Sequence, residues 1–278
     1  MLKLTDIDTW TKLTSPFENS RNIPVLIEQL AKTYSEKTLD EICWKYIYHQ
    51  QSLYEVTFAT FPYLVDFCET ATGDSFKLKA FINLGLILSE LDADDILLTK
   101  TFSNCKLDID LTKGIIESFK VSFQKLKQIG KSLFETVVKS EENEKRCFLS
   151  AIAVANGNFK VGKVFSTFME NDEYMCSCPE CDTEFYLWNN EDKLVLYIED
   201  PVFDKIQVGF PVVPKSSVDI QFSEIISSEN NFEWLTFYIN KLKIDSLKSI
   251  INDLFGEINC PECSKKFNIF NAIVDPLT

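Results

Sequence analysis

Four cysteines of this chain occur as two copies of one pattern. Cys178-Pro179-Glu180-Cys181 is followed by Phe185 and Leu187, and Cys260-Pro261-Glu262-Cys263 by Phe267 and Ile269, so both copies read C-P-E-C-x-x-x-F-x-[L/I]. A C-x-x-C turn aims two thiolates at one point, and two such turns supply the four soft ligands that tetrahedral zinc prefers. The apolar residues at matching offsets suit a short strand leaving each turn with alternate side chains inward. A single C-x-x-C is as readily a redox pair or a coincidence. Two copies sharing the proline, the glutamate and the apolar tail point instead to one structural Zn2+ held by Cys178, Cys181, Cys260 and Cys263 in a split ribbon. The copies lie about eighty residues apart, far more than the usual ribbon loop. Cys176 precedes the first copy, but Ile258 fills the matching place before the second, which makes Cys176 a bystander.

Little else in the chain marks a reaction. His49 is the only histidine, and no serine or cysteine nucleophile is set beside it. The His49-Gln50 pair reads as hydrogen bonding that fixes an interhelical turn. Cys43, Cys68, Cys105 and Cys147 stand alone, and Cys43 and Cys147 fall in apolar helices as small buried hydrophobes. No glycine-rich phosphate loop, H-E-x-x-H or G-x-S-x-G element occurs. A catalytic zinc needs an open position and a nearby acid or base, whereas four cysteines close the shell. The zinc therefore reads as a staple, with no catalytic or cofactor-binding residue beside it. The competing chemical reading is a thiol–disulfide enzyme that uses the C-P-E-C pairs.

The elements that must carry these turns are mostly helical. Ile23, Leu26, Ile27, Leu30, Ala31 and Tyr34 mark one helix face over 22–34. Thr38 with Glu41 and Ser52 with Glu55 read as capping boxes that open two more helices, the second kinked at Pro62. Further helices are expected over 76–91, over 111–138 with a break at Gly130, and over 145–155 and 159–169 around an Asn156-Gly157 turn. After Met169 the helical period is lost. Runs such as 194–198 and 206–208 read as strands punctuated by Pro201, Pro211 and Pro214. Helix returns over 232–242 and 245–255, ended by a cap at Gly256.

Composition agrees with a packed, helix-rich protein. Of 278 residues 45% are hydrophobic, 23 of them Phe, with only 8 Gly and 9 Pro. No apolar stretch approaches membrane length, and the first residues lack the basic and apolar regions of a signal peptide. Nine cysteines then suggest a reducing compartment, and the cytoplasm is the expected location. The formal net charge of −14 repels nucleic acid and anionic membrane and favours a cationic partner. Acidic clusters recur at Asp92-Asp94-Asp95, Glu141-Glu142-Glu144, Glu170-Asp172-Glu173 and Glu191-Asp192, each by itself a solvated loop. Trp10, Trp188 and Trp234 are candidate interface anchors, although tryptophan is more often core.

Trp44-x-x-Ile47-Tyr48-His49-Gln50, followed by Thr57-Phe58-Ala59-Thr60-Phe61-Pro62-Tyr63-Leu64, resembles bacterial HEAT-like helical-repeat proteins with W-x-x-[LI]-x-H-Q ahead of A-x-x-A-x-P-x-L. Thr57 and Thr60 stand where that pattern has alanines. A later helix like Phe148–Ala153 and C-P-x-C elements complete the resemblance, which covers most of 36–70, then 147–157 and the two cysteine turns. Asp182 and Ser264 replace the glycine that usually follows such a turn, a departure expected to weaken the exact ribbon geometry but not the ligand set. The resemblance implies an α-solenoid interaction protein over 1–170 and a split four-cysteine zinc module with two packed helices over 171–278. The knuckles must meet, so one continuous body is expected. Such proteins are associated with polymorphic toxins, which implies an immunity protein that neutralises a cationic toxin domain such as a nuclease. A general scaffold or adaptor built on the same solenoid is the alternative.

Overall fold

The computed structural model describes residues 1–91, 100–168, 173–191, 193–204, 206–216, 222–227 and 229–274. The chain is mainly helical, with small antiparallel sheets and a cluster of four cysteines. Among the described residues no helix is long and apolar enough to cross a membrane. Contacts divide the chain into two compact units, Met1–Lys163 and Val164–Thr278, and the division falls within the helix Phe159–Thr167. Asp92, Asp94, Asp95, Glu170, Asp172 and Asp192 of the acidic clusters, and Met169 at the expected helix end, lie outside the described residues.

The first unit opens with α1 (Ile7–Lys12), α2 (Ile23–Thr33) and α3 (Glu36–Glu41), the last running into a π-helical turn over Ile42–Ile47. α2 buries Ile23, Ile27 and Leu30, the face that the periodicity marks. A two-strand hairpin follows, β1 (Tyr48–His49) with β2 (Ser52–Leu53). Gln50 and Gln51 form its turn with φ of 46° and 57°, the left-handed pair that matches hairpin twist. This hairpin corrects the expected interhelical turn: the His49 ring packs edge-on against Phe17 with centroids 5.1 Å apart.

The long helices come next: α4 (Glu55–Thr70), α5 (Asp74–Leu88), α6 (Ile109–Ser132), α7 (Phe134–Val137), α8 (Glu142–Ala155) and α9 (Phe159–Thr167). α4 packs on α5 and α6, and α8 packs on the same two. Phenylalanines fill the space between them. Phe58 and Phe61 meet Phe119 with centroids 5.0 and 4.8 Å apart, and Phe81 meets Phe148 at 5.3 Å. Gly130 does not break α6. It lies inside the helix because an added Cβ would stand 2.6 Å from Ile152 and 2.7 Å from Phe81.

Both expected capping boxes are replaced by other caps. Ser35 caps α3, its hydroxyl accepting from the Thr38 N–H at 3.3 Å. The hairpin draws Ser52 into a strand, and at α4 the Thr57 hydroxyl accepts from the Tyr54 N–H at 2.9 Å. Glu55 is buried instead, where its carboxylate accepts from the Thr14 N–H at 2.9 Å. The caps that win at α3 and α4 are as local as the S/T-x-x-E pattern, each spanning three residues, and only the Glu55 carboxylate is drawn away by a distant segment, at Thr14.

The second unit is built on a four-stranded antiparallel sheet, β3 (Tyr174–Ser177), β4 (Glu184–Asn190), β5 (Lys193–Tyr197) and β6 (Phe210–Pro211), in that order. Residues 206–208 are not a strand; Ile206 and Val208 lie exposed in the loop before β6. α10 (Asn231–Leu242) and α11 (Asp245–Leu254) follow, and α11 packs on β5, where the Asp253 carboxylate accepts from the Leu194 N–H at 2.9 Å. A second hairpin, β7 (Glu257–Asn259) with β8 (Lys266–Asn268), leads into α12 (Ile269–Ala272). Gly256 is no left-handed cap. The chain there passes so close to Val213 that a Cβ would meet its carbonyl oxygen at 2.4 Å.

Candidate metal centre

Each cysteine pair sits in the turn of a β-hairpin. Ser177 faces Glu184 across β3 and β4, and Asn259 faces Lys266 across β7 and β8, so residues 178–183 and 260–265 are equivalent six-residue turns. Their backbones close in the same way. The Cys178 N–H donates to the Thr183 carbonyl at 2.9 Å, and the Cys260 N–H to the Lys265 carbonyl at 2.8 Å. The Asp182 and Ser264 N–H groups return to the Cys178 and Cys260 carbonyls, both at 2.9 Å. Asp182 and Ser264 adopt φ of 56° and 63°, the left-handed region usually left to glycine. Both turns thus take the left-handed conformation without glycine, and their four cysteines still come together.

Two short contacts bring the hairpins together. Cys176 pairs with Ile273, and the Val274 N–H donates to the Met175 carbonyl at 3.0 Å, so the chain beyond the second hairpin runs beside β3. Val213 and Glu257 exchange two backbone hydrogen bonds at 2.9 Å and tie the approach to β7. Apolar side chains at the predicted offsets lie underneath: Phe185, Leu187, Phe267 and Ile269 are all buried.

The result is one cluster. The Sγ atoms of Cys178, Cys181, Cys260 and Cys263 all lie within 4.8 Å of one another. Cys178 is 3.7 Å from Cys263, and Cys181 is 3.7 Å from Cys260. A sulfur tetrahedron around an ion with bonds of about 2.3 Å has edges of about 3.8 Å, whereas a disulfide needs about 2.05 Å. The cluster fits the first and not the second, and every cysteine is a free thiol. Cys176 is buried outside the four, its thiol pushed up to about 12 by burial and then by Cys178 and Cys260.

The thiols are tuned unequally. Cys181 is exposed and lies 3.3 Å from the Thr183 hydroxyl, and that contact brings its pKa down to about 7. At Cys263 the Lys265 backbone favours the thiolate, yet desolvation and the other three thiols outweigh it and push the group up to about 12. Burial also raises Cys260. Crowded sulfurs resist sharing several negative charges until a cation joins them, so metal capture by such a cluster releases protons. Lys265 adds positive charge from the second turn and reaches Glu180 of the first at 4.0 Å. Thr183 and Lys265 escaped the sequence reading. Each stands two places after its turn's second cysteine, an offset that only the repeated closing hydrogen bond makes meaningful.

The chain matches no family model, no curated protein and no solved structure. The remaining candidates are placed by the coordinates alone. Burial raises the thiols of Cys43, to about 12, and of Cys68, Cys105 and Cys147. Trp10 and Trp234 are fully buried, which removes them as interface anchors, while Trp188 is half-buried in β4.

Proposed function

We propose that this is a non-enzymatic, zinc-stapled binding protein, most simply an immunity protein that occludes a cationic toxin domain in the cytoplasm. The observation that carries this reading is the closed four-sulfur cluster. Zinc held by Cys178, Cys181, Cys260 and Cys263 has no position left for substrate or water, which suits a structural role. It would join two hairpins distant in sequence. The surface is then what the protein offers a partner, and a net charge of −14 favours a basic one by speeding encounter and aligning the complex. The packing of α4 and α5 against α6 and α8 supports a HEAT-like arrangement of two stacked helix pairs.

The test is a growth rescue with the product of the neighbouring gene, expressed with and without this chain, followed by co-purification. Rescue with co-elution is the expected result. A harmless neighbour, or killing that this chain does not relieve, removes the toxin reading and leaves the adaptor reading in front. One observation favours a second chemistry: Cys181 is exposed and its thiol is lowered to about 7, as in thiol–disulfide enzymes. Elemental analysis separates the two. One zinc per chain with four protected thiols supports the staple, and a reducible Cys178–Cys181 disulfide supports the enzyme.

A further inference from the structure

Between β5 and β6 of the second unit, the loop 198–209 turns its large apolar side chains outward. Val202 is 55%, Phe203 87%, Ile206 92% and Val208 81% exposed. The described residues of this loop are tied to one another by hydrogen bonds. The Asp200 carboxylate accepts from the Val202 N–H at 2.8 Å, and the Asp204 carboxylate accepts from the Ile206 N–H at 3.1 Å. The Gln207 amide donates to the Glu199 and Asp204 carbonyls at 2.7 and 3.0 Å, and accepts from the Glu199 N–H at 3.1 Å. At the return, Gly209 crosses β5 so closely that a Cβ would stand 2.2 Å from Val195. Hydrogen bonds of this kind lower the ordering entropy lost when such residues bind.

We infer that Val202, Phe203, Ile206 and Val208 form a docking finger for a protein surface whose apolar side chains are flanked by lysine or arginine. The charge around the finger selects that occupant. Residues 198–209 hold three carboxylates, Glu199, Asp200 and Asp204, against one lysine, Lys205, a net of −2. Among the described residues none of the three carboxylates makes an ion pair. A second copy of this chain would set those carboxylates against their own counterparts, which like-charge repulsion opposes. An anionic membrane is disfavoured by the same carboxylates and by the net charge of −14. A basic, apolar protein face satisfies both the four side chains and their acidic rim. The inference deepens the binding reading above, and its test uses no toxin, so either can fail without the other.

The test uses a fluorescent amphipathic helix of about 14 leucine and lysine residues, which presents an apolar stripe between rows of lysine, and the matched leucine–glutamate peptide. Anisotropy titrations compare the full wild-type chain with Phe203→Ser/Ile206→Ser and with Glu199→Gln/Asp204→Asn. The asparagine oxygen can still accept from the Ile206 N–H, so the second variant alters charge rather than loop shape. Circular dichroism and sedimentation check that both variants fold as wild type does. The expected result is binding of the lysine peptide weakened about tenfold or more by Phe203→Ser/Ile206→Ser. Weaker loss and a shallower salt dependence are expected for the charge variant, with no binding of the glutamate peptide. Equal affinity for wild type and the serine variant overturns the proposal. So does wild-type dimerisation that the serine variant abolishes, or binding to phosphatidylglycerol vesicles in place of the peptide.

Discussion

At the residue scale the two cysteine turns hold an avoidable strain. Asp182 and Ser264 occupy left-handed backbone, where a side chain costs about 1–2 kcal/mol and Asp is tolerated better than Ser. Glycine relieves that strain but gives back part of the gain through its freer unfolded chain. Ser264→Gly is therefore expected to stabilise the protein by about 0.5–1 kcal/mol in urea unfolding, and Asp182→Gly by less. A loss in both would mean that these side chains do more than tolerate the turn. Asp253 gives a pH-dependent case. Burial raises its pKa, only partly opposed by the Leu194 N–H and by Lys193. A carboxyl whose folded pKa lies above its unfolded value favours the fold while protonated, and that contribution fades as pH rises from the unfolded pKa through the folded one. Asp253→Asn keeps an acceptor for Leu194 without the buried charge. It should be more stable than wild type at pH 7, with the gap narrowing as the solution is acidified toward the aspartate range; an unchanging gap would trace it to packing.

At the element scale, close helix crossings decide which small residues matter. An added Cβ at Gly85 of α5 would lie 2.3 Å from the Ala151 Cβ and 2.4 Å from its Cα, whereas at Gly130 it would meet the ends of the Ile152 and Phe81 side chains. Side-chain ends can rotate away and backbone cannot. Gly130→Ala is expected to cost about 1–3 kcal/mol, offset in part by helix propensity, and Gly85→Ala more; thermal unfolding of the pair gives the order directly. This scale also shows what the sequence could express. The α2 face and the paired helices before and after Asn156-Gly157 were legible because each follows a local period or a local turn. The strand after each C-P-E-C turn was legible for the same reason. The strand before it was not, because β3 and β7 gain their identity from partners across a turn. The close pass of Gly256 at Val213 and the diversion of Glu55 to Thr14 likewise depend on contacts that a one-dimensional pattern does not contain.

At the scale of the whole molecule, the four-cysteine set was the most legible feature. Its repeat names the four residues that the structure brings together, while a metal held there remains the proposal above. Removing the proposed zinc, by chelation or by Cys260→Ser, is expected to cost several kcal/mol. The loss should fall unevenly. Hydrogen exchange should lose protection at β3, β7 and β8, which the cluster joins, before it does so in α4, α5, α6 and α8. Protection unchanged by chelation would mean that backbone pairing alone holds the hairpins.

The sulfur tetrahedron also has a history in time. Cys181 and Cys260 are 79 residues apart, a distance that a ribosome covers in about 4–16 s at about 5–20 residues per second. For that interval the first hairpin carries two thiols without the second pair beside them, and afterwards it carries one half of a four-cysteine cluster. Capture of the proposed ion would thus be a chemical record that translation has passed the second hairpin. In stalled chains of increasing length, Cys178 and Cys181 should stay open to alkylation until Cys260 and Cys263 have emerged, and close together thereafter.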